Sequence, residues 1–139
     1  MSHSPETPLL DVVDDLRERG SRYAREAYLF VVTALGYTAE ALPAYRRANP
    51  ALRHLTGQEL VAGVIRLARQ EFGDMAPVVF REWRVLKTED IGRIVFELVE
   101  ADHLSARPED TIEDFLHGPD LLAALADAET PPSASRGIA

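Results

Sequence analysis

Cysteine is absent from the 139 residues, and lysine and tryptophan each occur once. Without cysteine there is no disulfide framework, no thiolate metal site and no cysteine nucleophile. No apolar run approaches the roughly 18 residues of a membrane-spanning helix. A glycine-rich phosphate loop, a GxSxG elbow, an HExxH pair and an EF-hand loop are also missing, so the common signatures of catalysis and metal binding are not present. The opening Met1-Ser2-His3-Ser4-Pro5-Glu6 has neither a basic start nor an apolar stretch, and no secretory leader is expected. Basic residues are scarce in one region only. Residues 88–130 carry 2 basic and 12 acidic groups, net −10, whereas residues 1–87 carry 12 and 11, net +1. The whole chain has a formal charge of −8.

What is present is helical periodicity. The length suits one domain, with residues 1–6 and 129–139 expected to be loose ends around a core of residues 7–128. Leu9, Val12, Val13 and Leu16 recur at i, i+3, i+4 and i+7, predicting a helix from Pro8 to Arg19 with Thr7 as cap and Gly20 as stop. A second helix is expected from Arg22 to Leu35, ended by Gly36, with the apolar run 27–32 at the centre of the core. Pro43 and Pro50 break the pattern around a turn or short helix at Arg46-Arg47-Ala48-Asn49.

Thr56-Gly57-Gln58-Glu59 has the form of a capping box, in which the Thr hydroxyl takes the N3 amide and Glu59 reaches back to the cap amide. Behind it Leu60, Val61, Val64, Leu67, Ala68 and Phe72 form an apolar stripe as far as Gly73. Asp74 is the expected cap of a shorter helix that carries Pro77, Phe80 and Trp83. Thr88, followed by Glu89 and Asp90, opens a further helix with Ile91, Ile94, Val95 and Leu98 on one side. Gly92 lies inside it, where glycine costs about 1 kcal/mol relative to alanine. A missing side chain there would admit the backbone of the 27–32 helix. Residues 104–115 read as a small hairpin or wing, and a last helix starts at Pro119 with Leu121, Leu122 and Leu125. The expected fold is a mainly α, compact domain of five to six helices. Its C-terminal half would resemble a helix-turn-helix or winged helix, with one minor β-hairpin.

Each candidate site has a plain structural alternative. In a DNA-reading helix-turn-helix, the helix from Thr88 would present Glu89, Asp90, Glu97 and Glu100 to phosphates, with Arg93 as its one cation. That disfavours DNA. Arg17, Arg19, Arg22 and Arg25, together with Arg46, Arg47, Arg53 and His54, could form a cationic patch for RNA or an acidic partner. Interleaved Asp14, Asp15, Glu18 and Glu26 could equally pair with the first set and leave an ordinary solvated face. Asp102, His103, Asp110, Glu113, Asp114 and His117 supply ligand types but no fixed coordination geometry, so no metal and no cofactor are expected. Trp83 reads either as stacked by a neighbouring arginine or as a core anchor, and Tyr23, Tyr37 and Tyr45 as rimming the core with wetted hydroxyls.

The ordered pattern Arg53-His54-x-x-Gly57-x-Glu59-Leu60, Phe72-Gly73-x-Met75, Trp83, Thr88-Glu89-Asp90-x-Gly92-x-Ile94-Val95-Phe96-x-Leu98-Val99-Glu100 and Asp114-Phe115 resembles a small family of bacterial proteins of this size with no assigned activity. The resemblance implies one helical domain in a bacterial cytoplasm and no catalytic residues. The expectation is therefore a non-enzymatic protein-interaction or accessory module, binding a protein partner or itself. Arg46, Arg47, Arg53, His54 and Trp83 are the candidate contacts. The alternative is a nucleic-acid- or ribosome-associated regulator working through the N-terminal arginines.

Overall fold

The computed structural model describes residues 8–49, 55–101, 104, 115, 116 and 118–127. Seven α-helical segments occur among them: α1 Leu9–Glu18, α2 Arg25–Glu40, α3 Ala44–Arg47, α4 Gly57–Phe72, α5 Ala76–Trp83, α6 Thr88–Glu100 and α7 Leu121–Ala126. A 3-10 turn, Gly73–Met75, joins α4 to α5. There is no strand among the described residues. The segment expected to form a wing or hairpin lies almost wholly outside them. Ile94-Val95-Phe96, with its strand propensity, is helical because it continues the apolar face of α6.

The strongest local signal holds. Thr56 Oγ1 accepts the Glu59 amide at 3.0 Å while Glu59 Oε1 accepts the Thr56 amide at 3.0 Å, and α4 starts there. It stops where Gly73 turns to φ +55°, a conformation that suits a residue without a side chain. The end of α2 differs from expectation. Gly36 sits within the helix, exposed and with open space around it, and α2 continues to Glu40. Past Gly36, Thr38 donates to the Ala34 carbonyl at 2.7 Å and faces α4, so packing outweighs the propensity of one glycine. The start of α2 also moves, from Arg22 to Arg25, because Tyr23 is drawn inward from extended chain. Asp74 lies in the 3-10 turn and does not cap α5, whose first turn contains Pro77 as expected.

α2 and α4 form the central pair, with α1 on α2, α5 against α4 and α2, and α6 against both members of the pair. α7 lies on α5, α4 and the 3-10 turn. One core runs through the assembly, from Val12 and Val13 of α1 through Tyr28, Val64, Phe80 and Ile94 to Leu121 and Leu125. A Cβ placed on Gly63 would meet Thr38 Oγ1 at 1.8 Å and Thr38 Cβ at 3.0 Å, so α4 approaches α2 through a glycine. Gly92 is buried within α6, which packs on α2 and α4. The helix-turn-helix expectation is not met. α6 makes its larger contacts with α2 and α4, and Ile91, Ile94 and Leu98 are buried in the common core. No helix among the described residues is long and apolar enough to cross a membrane.

Candidate functional site

Three clusters of side chains carry chemical character, and the first lies where the entry to α2 meets α6. The Tyr23 hydroxyl donates to Asp90 Oδ1 at 2.6 Å, and Asp90 Oδ2 accepts the Leu86 and Lys87 amides at 2.9 and 3.0 Å. One carboxylate thus closes the N-terminal end of α6 and anchors the strand of chain that leads into α2. Seven residues along, Glu97 accepts the Tyr28 hydroxyl, which is also hydrogen-bonded to Ser21 Oγ. Ser21 Oγ lies 3.4 Å from the same carboxylate oxygen. The two rings meet edge to face with centroids 6.2 Å apart. Both are buried to within 1% exposure, so Tyr23 is not the wetted rim residue expected of it. Burial first, and then a carboxylate on each hydroxyl, push both phenols well above the ordinary tyrosine range. Protonated, hydrogen-bonded and enclosed, the phenols act as rivets between α2 and α6 and offer no nucleophile or base to a substrate.

The second cluster contains the arginines of the sequence-based site. Arg46 lies at the end of α3 with its guanidinium on both carboxylate oxygens of Glu59, which is also the capping-box acid of α4. That arginine holds the Glu59 carboxyl below the usual range, against a smaller opposing effect of burial, with help from the Thr56 amide. Arg47 is exposed, and its Nε donates to the Leu42 carbonyl at 3.1 Å. Arg53 and His54 lie outside the described residues. The structure therefore brings Arg46 to a structural carboxylate and leaves Trp83 elsewhere, in the third cluster. Among the other arginines, Arg25 pairs with Asp14, Arg19 with Asp15 and Arg93 with Glu89. Arg22 lies over the Tyr23 ring, 5.8 Å from its centroid. Two of the interleaved acids, Asp14 and Asp15, thus pair with arginines. The residues named as metal ligands between Asp102 and His117 lie outside the described residues, and no group of three acidic or histidine side chains suited to a metal occurs among those described.

The third cluster is aromatic. Trp83 packs on Phe30, Phe72 and Phe80 with centroids 5.4, 5.7 and 5.3 Å away, so the core-anchor reading of the tryptophan holds. Phe80 is buried, whereas Phe30, Phe72 and Trp83 are half-buried. From this base an apolar line runs back along α5 to the 3-10 turn at four-residue spacing: Trp83 and Val79, half-buried against the core, and then Met75, 56% exposed. Beside it runs a second line, Asp74, Val78 and Glu82, in which two exposed carboxylates bracket a valine that is 45% exposed. Sequence reading placed Trp83 here but missed the ridge. Its signal was the pair of interleaved fours, 75–79–83 and 74–78–82, which together give α5 a second apolar face.

Comparison with protein-family models, with curated proteins and with solved structures finds no match for this chain.

Proposed function

We propose that this chain is a non-enzymatic interaction module that docks a cationic amphipathic helix of a partner protein on the outer face of α5. The observation that carries this reading is the ridge of Met75, Val79 and Trp83 flanked by Asp74, Val78 and Glu82. An apolar strip edged by carboxylates fits a helix with an apolar stripe and Lys or Arg beside it, and the net charge of −8 steers such a partner inward. The polar clusters support the same reading from the other side. Tyr23, Tyr28, Asp90 and Glu97 are committed to one another, which leaves them no chemistry to perform. The nucleic-acid alternative gains less support, since Arg19, Arg25 and Arg46 each face a carboxylate. The resemblance to a bacterial family with no assigned activity supports a cytoplasmic setting for this reading and supplies no catalytic role.

The sole tryptophan lies at the base of the ridge and reports on it directly. Titration with a designed leucine–lysine helical peptide is expected to shift Trp83 emission. Met75→Glu and Val78→Glu should each abolish the shift, and Asp74→Lys with Glu82→Lys should transfer binding to a leucine–glutamate peptide. Binding that ignores these four changes would exclude α5 as the docking face.

A further inference from the structure

α7 combines two features that point in opposite directions. Leu121 and Leu125 are buried to within 1% exposure and belong to the common core. Yet the helix has only six residues, too few to persist without its docking site. Its attachments divide cleanly at Gly118-Pro119. Before that point the chain is fastened to α6: Phe115 is buried, its carbonyl accepts the Thr88 hydroxyl, and a Cβ on Gly118 would meet Thr88 Cγ2 at 2.7 Å. Beyond it, α7 is held by its buried leucines, and among the described residues Arg69 Nη1 donates to the Leu125 carbonyl at 2.9 Å. The Nε of the same guanidinium is buried with no acceptor among the described residues. A buried donor without a partner costs stability, and a ligand that supplies the missing acceptor recovers it.

We propose that α7 is a displaceable strap, and that the groove beneath it on α4, the 3-10 turn and α5 accepts instead an amphipathic helix of another protein. That ligand carries leucines four residues apart, as α7 does, and ends on a carboxylate that reaches Arg69. The seated α7 shows which shape the groove takes, and the Arg69 Nε, which has no acceptor among the described residues, marks where a ligand carboxylate would sit. The base of the strap stays on Thr88 while α7 swings about Gly118-Pro119. Met75 and Val78 are exposed with α7 in place, so this groove is distinct from the α5 ridge and stands or falls separately.

The probe is a fluorescein-labelled peptide of residues 119–127, PDLLAALAD, added to the full chain and followed by fluorescence polarisation. Wild type should bind it weakly, because α7 competes from the same chain at high effective concentration. The full chain with Leu121→Ala and Leu125→Ala should bind at least tenfold more tightly, and adding Arg69→Leu should remove most of that gain. A peptide with both leucines changed to alanine should not bind. Equal affinity of wild type and the double variant, with helical circular dichroism intact, would overturn the proposal. If the double variant does not fold, hydrogen exchange on the wild-type chain decides. α7 amides that exchange at least a hundredfold faster than those of α2 and α4 support the strap, and exchange at the global rate refutes it.

Discussion

The seam between α2 and α6 and the seam beneath α7 bury side chains equally well, but they are fastened by different chemistry. At α2–α6 the fasteners are two phenols on two carboxylates, directional bonds that exist in one register only. At α7, among the described residues, they are chiefly two buried leucines, with an arginine–carbonyl bond beside them. Apolar contacts contribute by area and tolerate exchange of one helix for another, whereas a buried polar pair penalises every arrangement in which it is left unpaired. The difference teaches that burial alone does not say which elements of a small helical domain are permanent. The polar seam fixes the frame, and the apolar seam is the one that can be opened.

The largest expected effect separates the two by pH. A folded-state pKa raised above the unfolded value means that the stabilisation is complete below the unfolded value, near pH 10, and falls as pH rises beyond it. Each of the two phenols then removes about 1.4 kcal/mol per pH unit. Absorbance at 295 nm should show Tyr23 and Tyr28 ionising only together with loss of helix. The leucines under α7 carry no ionisable group, so α7 exchange should not lead the transition. Early, separate ionisation of all four tyrosines would break the comparison.

Next in size is a pair of truncations. Asp90→Ala strands the Tyr23 hydroxyl and two backbone amides, and should cost about 3 kcal/mol of global stability in urea. Leu125→Ala removes a side chain as deeply buried, for which about 2–5 kcal/mol is usual. Here global stability should fall by less than about 1 kcal/mol, with the remainder appearing as faster exchange confined to α7. Equal global losses would mean that α7 belongs to the permanent frame.

These two seams also mark where sequence reading succeeded and where it stopped. α4 was legible from end to end, because its capping box, apolar stripe and terminal glycine are local signals that agree. Trp83 as an anchor, and Asp14 and Asp15 as partners of arginines, were among the readings that composition and spacing offered. The riveted seam was not legible: Tyr28 stands inside an apolar run, and the partners are 67 and 69 residues apart. A faint signal existed, since Asp90 and Glu97 fall at i and i+7 on the same face as Ile94, an unusual place for carboxylates unless something inside receives them. Gly36 was misread because its effect on α2 depends on Thr38 meeting α4, which no local window contains.

Gly63→Ala tests the junction that both seams share. The added methyl gains helix propensity but collides with Thr38, whose Cβ at 3.0 Å cannot rotate away. A net loss of about 2 kcal/mol is expected, with a matching fall in melting temperature. Thr38→Ala should offset part of that loss by making room, and an unchanged melting temperature for Gly63→Ala would show that the helices are further apart.

The smallest effect concerns Arg46, the sequence-nominated contact that the structure places on a carboxylate. Arg46→Ala should lower stability only slightly at neutral pH, because the pair is partly exposed and solvent screens it strongly. Glu59 is held below its ordinary value, so its contribution is present above about pH 4 and is lost as pH falls through the lowered value. The difference between wild type and Arg46→Ala should therefore close in acid, while the steric cost of Gly63→Ala persists there. If Arg46→Ala instead left stability untouched at every pH but weakened binding of an acidic ligand, the arginine would belong to a recognition surface. The Glu59 contact would then be a resting place for a side chain employed elsewhere. The pH profile of a single variant thus distinguishes a residue that ties α3 to α4 from one that waits for a partner.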